Sequence, residues 1–235
     1  MNWLKKNKMR KNNIEEIKRI VRRELKCSAH DFDHIMRVYN MAMRLAKEEK
    51  GEIDMDILKP ATLLHDIGRV KEDKDKTGKI CHASESAVMS SRILKKLEYG
   101  EEEIKKIRDC IITHRYKTGK RPRSIEAKIL FDADKLDSLG AIFIMRAGIW
   151  LGRNDGKIFP EMRLKDYVRE NIQGGKNNGR IRDNSRHSLY YEYELKTKEL
   201  PSLMHTKSGR KIAKERLKFV SMFLDRLRKE AAGEI

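Results

Sequence analysis

The chain has 235 residues, 38% of them charged, a formal net charge of +18, four prolines and three cysteines. Cys27, Cys81 and Cys110 form no C-x-x-C pair and are odd in number, which argues against a disulfide framework and for a reducing compartment. No apolar run of signal-peptide or membrane-span length occurs, so a cytoplasmic protein with no membrane partner is expected. The positive charge either keeps a Lys-rich protein soluble or attracts phosphorylated or nucleic-acid ligands.

Ile14, Ile17, Ile20, Val21 and Leu25 recur at helical spacing and predict a helix over residues 12–26. A second helix is expected from Asp33 to Lys50, ended by Gly51, and a third from Asp54 to Asp66. The third is apolar on nearly every side, the pattern of a buried helix. Residues 69–80 read as a charged loop, followed by helices over 82–97 and 101–116 and a turn at Gly119–Pro122. One long apolar segment runs from Ser124 to Gly152, residues 171–188 read as a mobile polar loop, and helices near 188–200 and 207–231 close the chain. The expected architecture is all-α, with residues 1–160 as a helical core and 161–235 as a basic helical extension packed on it.

Chemistry is signalled by polar residues lodged in apolar helices. His65 and Asp66 end the most hydrophobic helix, and burying such a pair is costly unless something compensates it. A divalent cation is one solution; a hydrogen-bonded core pair or a solvated helix end is another. Asp132, Asp134 and Asp137 place three carboxylates inside another apolar segment, which calls for a cation or a locally exposed acidic face. His34, with Arg37 one turn later, lies on or beside the core-facing side of its helix, where a satisfied core histidine is the plain alternative.

The order His34 … His65-Asp66 … Asp134 resembles the H…HD…D signature of the HD-domain superfamily of metal-dependent phosphohydrolases. The flanking His30-Asp31-x-x-His34-x-x-Arg37, Leu64-His65-Asp66-Ile67-Gly68 and Asp132-Ala133-Asp134-Lys135-Leu136-Asp137 strengthen it, over about residues 24–160. The resemblance is to small single-domain bacterial and archaeal members, and it implies an HD-type helical bundle. It also implies a metal held by His34, His65, Asp66 and Asp134, with Asp132 the competing choice for the last. Mixed nitrogen and oxygen ligands without thiolate suit Mn, Mg, Fe, Co, Ni or Zn. His82 and His114 fall where some subfamilies hold a second metal; contact with substrate phosphate, or an ordinary helix-end role, are the other readings.

Hydrolysis of a phosphoester or phosphoanhydride is therefore expected, on a phosphorylated small molecule and most simply a nucleotide. Asp66 or Asp137 would accept the proton, and Arg37, Arg69, Lys71 and Arg146 are the candidate phosphate clamps. Two other classes compete. The basic residues of 207–230 suit a nucleic-acid-binding helical protein, and a six-ligand relative would be a di-iron oxygenase. Either a monomer or a homodimer is compatible with the exposed helix faces.

Overall fold

A computed structural model describes residues 3–25, 31–75, 77, 79–115, 119–175 and 179–235. Cys27 and His30 lie outside the described residues. The fold is all-α, as the composition predicts, and the described residues contain no strand, only isolated bridges at Lys157–Ser188 and Ile172–Ile181. None of their helices is long and apolar enough to cross a membrane.

The chain divides into two compact units, residues 1–134 with 205–209, and residues 135–204 with 210–235. The first unit is built from α1 (Trp3–Glu24), α2 (Phe32–Glu48), α3 (Met55–Leu64), α4 (Arg69–Lys74), α5 (His82–Lys96) and α6 (Glu101–Thr113), and from most of α7 (Ile125–Leu136). α5 packs on α6, and α3 packs on α1, α2 and α6. α3 is buried from Ile57 to Leu64 except at Lys59, and Ile35, Val38 and Leu45 of α2 are wholly buried as well.

Local chemistry starts these helices where they start. The Asp31 carboxylate accepts from His34 N at 3.0 Å and caps α2, and that of Asp54 accepts from Asp56 N at 3.0 Å and caps α3. α1 begins at Trp3, well before the expected Asn12. Its early polar stretch is held by Arg10, which bonds Glu103 at 2.6 Å and lies 3.9 Å from the centre of the Tyr99 ring. α2 ends at Glu48, and Gly51 takes φ +120° three residues on.

One expectation needs correction, and one long segment resolves into two helices. Residues 69–74 of the charged stretch are helical, not loop, and ion pairs Arg69–Glu72 at 2.9 Å and Arg69–Asp73 at 3.8 Å support α4 where no apolar period exists. The long segment 124–152 is broken at residues 137–139, so that α7 and α8 (Gly140–Arg153) are separate helices. Gly140 opens α8 at φ +73°, and a β-carbon there would meet Arg216 at 3.3 Å.

The second unit holds α8, α9 (Leu164–Asn171), α10 (Leu189–Leu195), α11 (Leu200–Leu203) and α12 (Lys207–Ala231) beyond its first three residues. Phe143, Leu151, Leu189, Val220 and Leu224 form one apolar cluster. Tyr167 and Tyr191, stacked with ring centroids 3.8 Å apart, form another with Ile172. Within 171–188, residues 176–178 lie outside the described residues; Asn171 bonds Asp183 from both its amide atoms at 2.8 and 2.9 Å. His187 is buried and its Nδ1 is 2.6 Å from Tyr167 Oη, a structural role, while the exposed His205 sets its ring 4.8 Å from that of Phe131.

Candidate metal centre

α2, α3, α5, α6 and α7 bring four imidazoles and two carboxylates to one place in the first unit. His34, His65, Asp66, His82 and His114 are all buried. Asp66 divides its oxygens between two groups. Oδ2 lies 3.8 Å from His34 Nε2 and 3.9 Å from His65 Nε2, and Oδ1 lies 3.4 Å from His82 Nε2 and 3.6 Å from His114 Nε2. Asp134 Oδ1 closes the first group at 3.6 Å from His34 Nε2 and 3.8 Å from His65 Nε2.

Backbone carbonyls settle which ring nitrogens face inward. His65 Nδ1 lies 2.8 Å from Thr62 O, and His114 Nδ1 lies 2.5 Å from Ile111 O. A carbonyl only accepts, so in the neutral ring each Nδ1 carries the proton and each Nε2 offers a lone pair to the interior. His82 Nδ1 likewise makes a short contact with the Glu72 carboxylate. His65 Nε2 and Asp66 Oδ1 are buried with no hydrogen-bond partner among the described residues.

Lone pairs and carboxylate oxygens that converge in a buried space are the donor set of a divalent cation. Ligand atoms about 2.0–2.2 Å from a shared ion stand roughly 3–4 Å apart, too far for hydrogen bonds but within one coordination sphere. The distances above fall in that range, so the residues fit a metal. His34, His65 and Asp66 form one such group, and Asp66, His82 and His114 a second that shares the same carboxylate.

The electrostatics agree. Burial pushes the His65 imidazole down to about 4 against the pull of Asp66, which keeps it neutral and available as a donor. Burial alone would raise the Asp66 carboxyl, but the neighbouring His65, His114 and Arg69 hold it well below the usual range. Burial also pushes His82 down, opposed by Glu72 and Asp66.

The remaining expected residues have varied surroundings. Asp132, the competitor of Asp134, is fully buried and accepts from His205 N at 2.9 Å, Thr206 N at 2.7 Å and Thr206 Oγ1 at 2.6 Å. Arg37 is half-buried one turn beyond His34. Arg69 follows Asp66 by three residues, and Lys71 points its ammonium at Glu85, 2.8 Å away. Asp137 and Arg146 belong to the second unit, where they pair with each other at 2.8 Å. Glu72, joined to Arg115 at 2.6 Å, sits against His82 and has no signal in the sequence, because the short charged α4 carries no apolar period to mark it.

Residues 31–139 match the model of the HD domain. The chain is 28% identical to the uncharacterised protein YpgQ of Bacillus subtilis over 210 residues, 88% of this chain and 86% of that protein. The crystal structure of Bacillus subtilis YpgQ in complex with ADP is similar at 25% identity and TM-score 0.65, covering 94% of this chain and 96% of that one. An HD-superfamily hydrolase of Bacillus thuringiensis is similar at 28% identity and TM-score 0.66, covering 97% and 98%. A predicted HD-superfamily hydrolase of an uncultured Thermotogales bacterium aligns at 28% identity and TM-score 0.60, covering 92% and 91%. Residues 31–139 are therefore an HD domain, and the chain shares the fold of HD-superfamily hydrolases.

Proposed function

We propose that this protein is a metal-dependent phosphohydrolase that cleaves a phosphoester or phosphoanhydride bond in a nucleotide. The observation that carries the reading is the buried Asp66 carboxylate, flanked by His34 and His65 on one oxygen and by His82 and His114 on the other. The ADP complex of the similar YpgQ supports a nucleotide as the phosphorylated ligand.

His34, His65, Asp66 and Asp134 would hold the ion, drawn from Mn, Mg, Fe, Co, Ni or Zn by their mixed nitrogen and oxygen character. Such an ion supplies Lewis acidity, activating water and stabilising charge on phosphoryl oxygens. His65 contributes a neutral ring whose Nδ1–H is fixed by Thr62 O, so its orientation does not have to be reset on binding. Asp66 is the proposed proton acceptor because it sits among the donors; Asp137 has its charge engaged by Arg146. Arg37, one turn from His34, and Arg69, three residues past Asp66, are the proposed phosphate clamps. Lys71, which is paired with Glu85, and Arg146, which is paired with Asp137, are further candidates.

The group formed by Asp66, His82 and His114 supports a second reading, in which two ions share Asp66. The same six residues would suit a di-iron oxygenase, which iron content and oxygen consumption discriminate from hydrolysis.

The test is a panel of nucleoside mono-, di- and triphosphates incubated with the Mn²⁺-supplied protein, with products resolved by ³¹P NMR. Phosphate or pyrophosphate release that stops on chelation and returns with Mn²⁺ supports the proposal. No release from any member of the panel, by folded and metal-loaded protein, would refute it.

A further inference from the structure

The first unit also holds a cavity of about 960 Å³, within the roughly 300–1,000 Å³ range of small-molecule sites. Its walls come from the start of α3, one face of α6, the segment after residue 118 and the start of α7. Asp54 and Ile57 line it at the opening of α3, whereas His65 and Asp66 follow the far end of that helix. Its ten residues put about 15 Å between the two places.

The charges around this cavity are unevenly engaged. Of the acids that line it, Asp54 caps α3 by accepting from Asp56 N at 3.0 Å, and the buried Glu126 accepts from Asp54 N at 2.9 Å. Asp109, also on the wall, is exposed to water. The cations Lys106, Arg121 and Arg123 share the same lining and have no hydrogen-bond or ion-pair partner among the described residues. Lys120 lines it as well.

Local chemistry sets the two arginines side by side. A residue before proline favours extended backbone, and alternate side chains of an extended segment share a side. Pro122 is buried, Arg121 and Arg123 are exposed, and both arginines line the cavity. Cations gathered at a concave wall, in a chain of net charge +18, repel one another and concentrate a positive field there. An anion relieves that repulsion, and the guanidinium fork matches phosphate oxygens. Ile57 and Ile112 give the same cavity an apolar wall, which suits the ring portion of a ligand.

We infer that this cavity is a second anion site, which takes a phosphorylated small molecule of nucleotide size with its phosphates on Arg121, Arg123 and Lys106. It stands apart from the hydrolase reading, because none of these three cations belongs to the candidate metal centre.

Calorimetric titration of the full chain, with metal removed beforehand, tests the site using ADP, pyrophosphate and adenosine as separate probes. ADP and pyrophosphate should bind and adenosine should not. Arg121→Gln/Arg123→Gln should weaken ADP at least about 10-fold, the effect of losing charge-assisted bonds to phosphate. Arg37→Gln, beside the metal centre, should leave the affinity within about twofold of wild type. Lys211→Gln/Lys214→Gln, which removes two exposed charges on α12, should do the same, because solvent and salt screen distant charges. No binding of ADP to wild type, adenosine as tight as ADP, or an equal loss in the α12 variant would overturn the inference. A loss in Arg37→Gln in place of the arginine pair would overturn it too, by assigning the anion to the metal centre. Lys106→Gln should weaken ADP in the same direction and decides the matter if the double variant does not fold. Failure of nucleotide turnover would sink the hydrolase reading and leave this site standing.

Discussion

Asp132 and Asp134, separated by a single residue on α7, serve different partners. Asp132 accepts three hydrogen bonds from His205 and Thr206, and Asp134 Oδ1 faces the Nε2 atoms of His34 and His65. One carboxylate anchors the chain just before α12, and the other closes the candidate metal centre.

Their substitutions should therefore separate stability from metal binding. Asp132→Ala leaves buried donors at residues 205 and 206 without an acceptor and should cost about 2–4 kcal/mol. Its Mn²⁺ titration should be unchanged. Asp134→Ala should show the opposite pattern, with tight Mn²⁺ binding lost and the thermal midpoint of the metal-free protein nearly retained. Calorimetry and melting curves on the two variants check this directly.

The metal-free protein should lose stability as pH falls. His65 has its proton affinity depressed from 6.5 to about 4 in the fold, so the unfolded chain takes up the proton first. The associated stability is complete above pH 6.5 and disappears as pH drops towards 4, an effect of roughly 3 kcal/mol for a fully buried group. Glu72, held at about 2 by His82 and Arg115 against burial, adds a smaller decline in the same direction between 4.5 and 2. Urea midpoints measured across this range should fall with pH, and His65→Ala should flatten the upper part. Midpoints that rise on acidification would contradict the buried neutral imidazole.

Gly68 marks where α3's end meets α5. A β-carbon there would stand 2.6 Å from Ser86 N and 2.8 Å from Glu85 Cβ, and Gly68 N donates to Ser86 Oγ at 2.9 Å. Gly68→Ala must push α5 and with it His82, and should cost about 2–4 kcal/mol. Gly148→Ala on α8 is the control, since nothing lies within 4 Å of its added carbon and helix propensity favours Ala by up to ~1 kcal/mol. Thermal melts of both variants distinguish a contact effect from a general intolerance of substitution.

How much was legible follows from how each feature is encoded. The helices of the first unit carry strong apolar periods, and His34, His65 and Asp66 stood out as polar residues inside them. Their convergence could be read from their resemblance to an ordered motif. The choice between Asp132 and Asp134 could not be read from periodicity, because what separates them is Thr206, 74 positions from Asp132 in the chain. α4 and Glu72 were hidden for a related reason: α4 is stabilised by ion pairs within itself and by Arg115, 43 positions away, with no apolar stripe. The break before α8 turns on the single left-handed Gly140, inside a run whose apolar composition continues across it.

The most direct measurement compares phosphate and pyrophosphate release from nucleotides by wild type and His65→Ala/Asp66→Ala, with Mn²⁺ supplied to both and folding verified. The structure predicts a fall in the variant to the uncatalysed background, a loss of at least about 10³-fold. A variant that keeps its rate within about twofold of wild type would contradict a catalytic centre built on the Asp66 carboxylate.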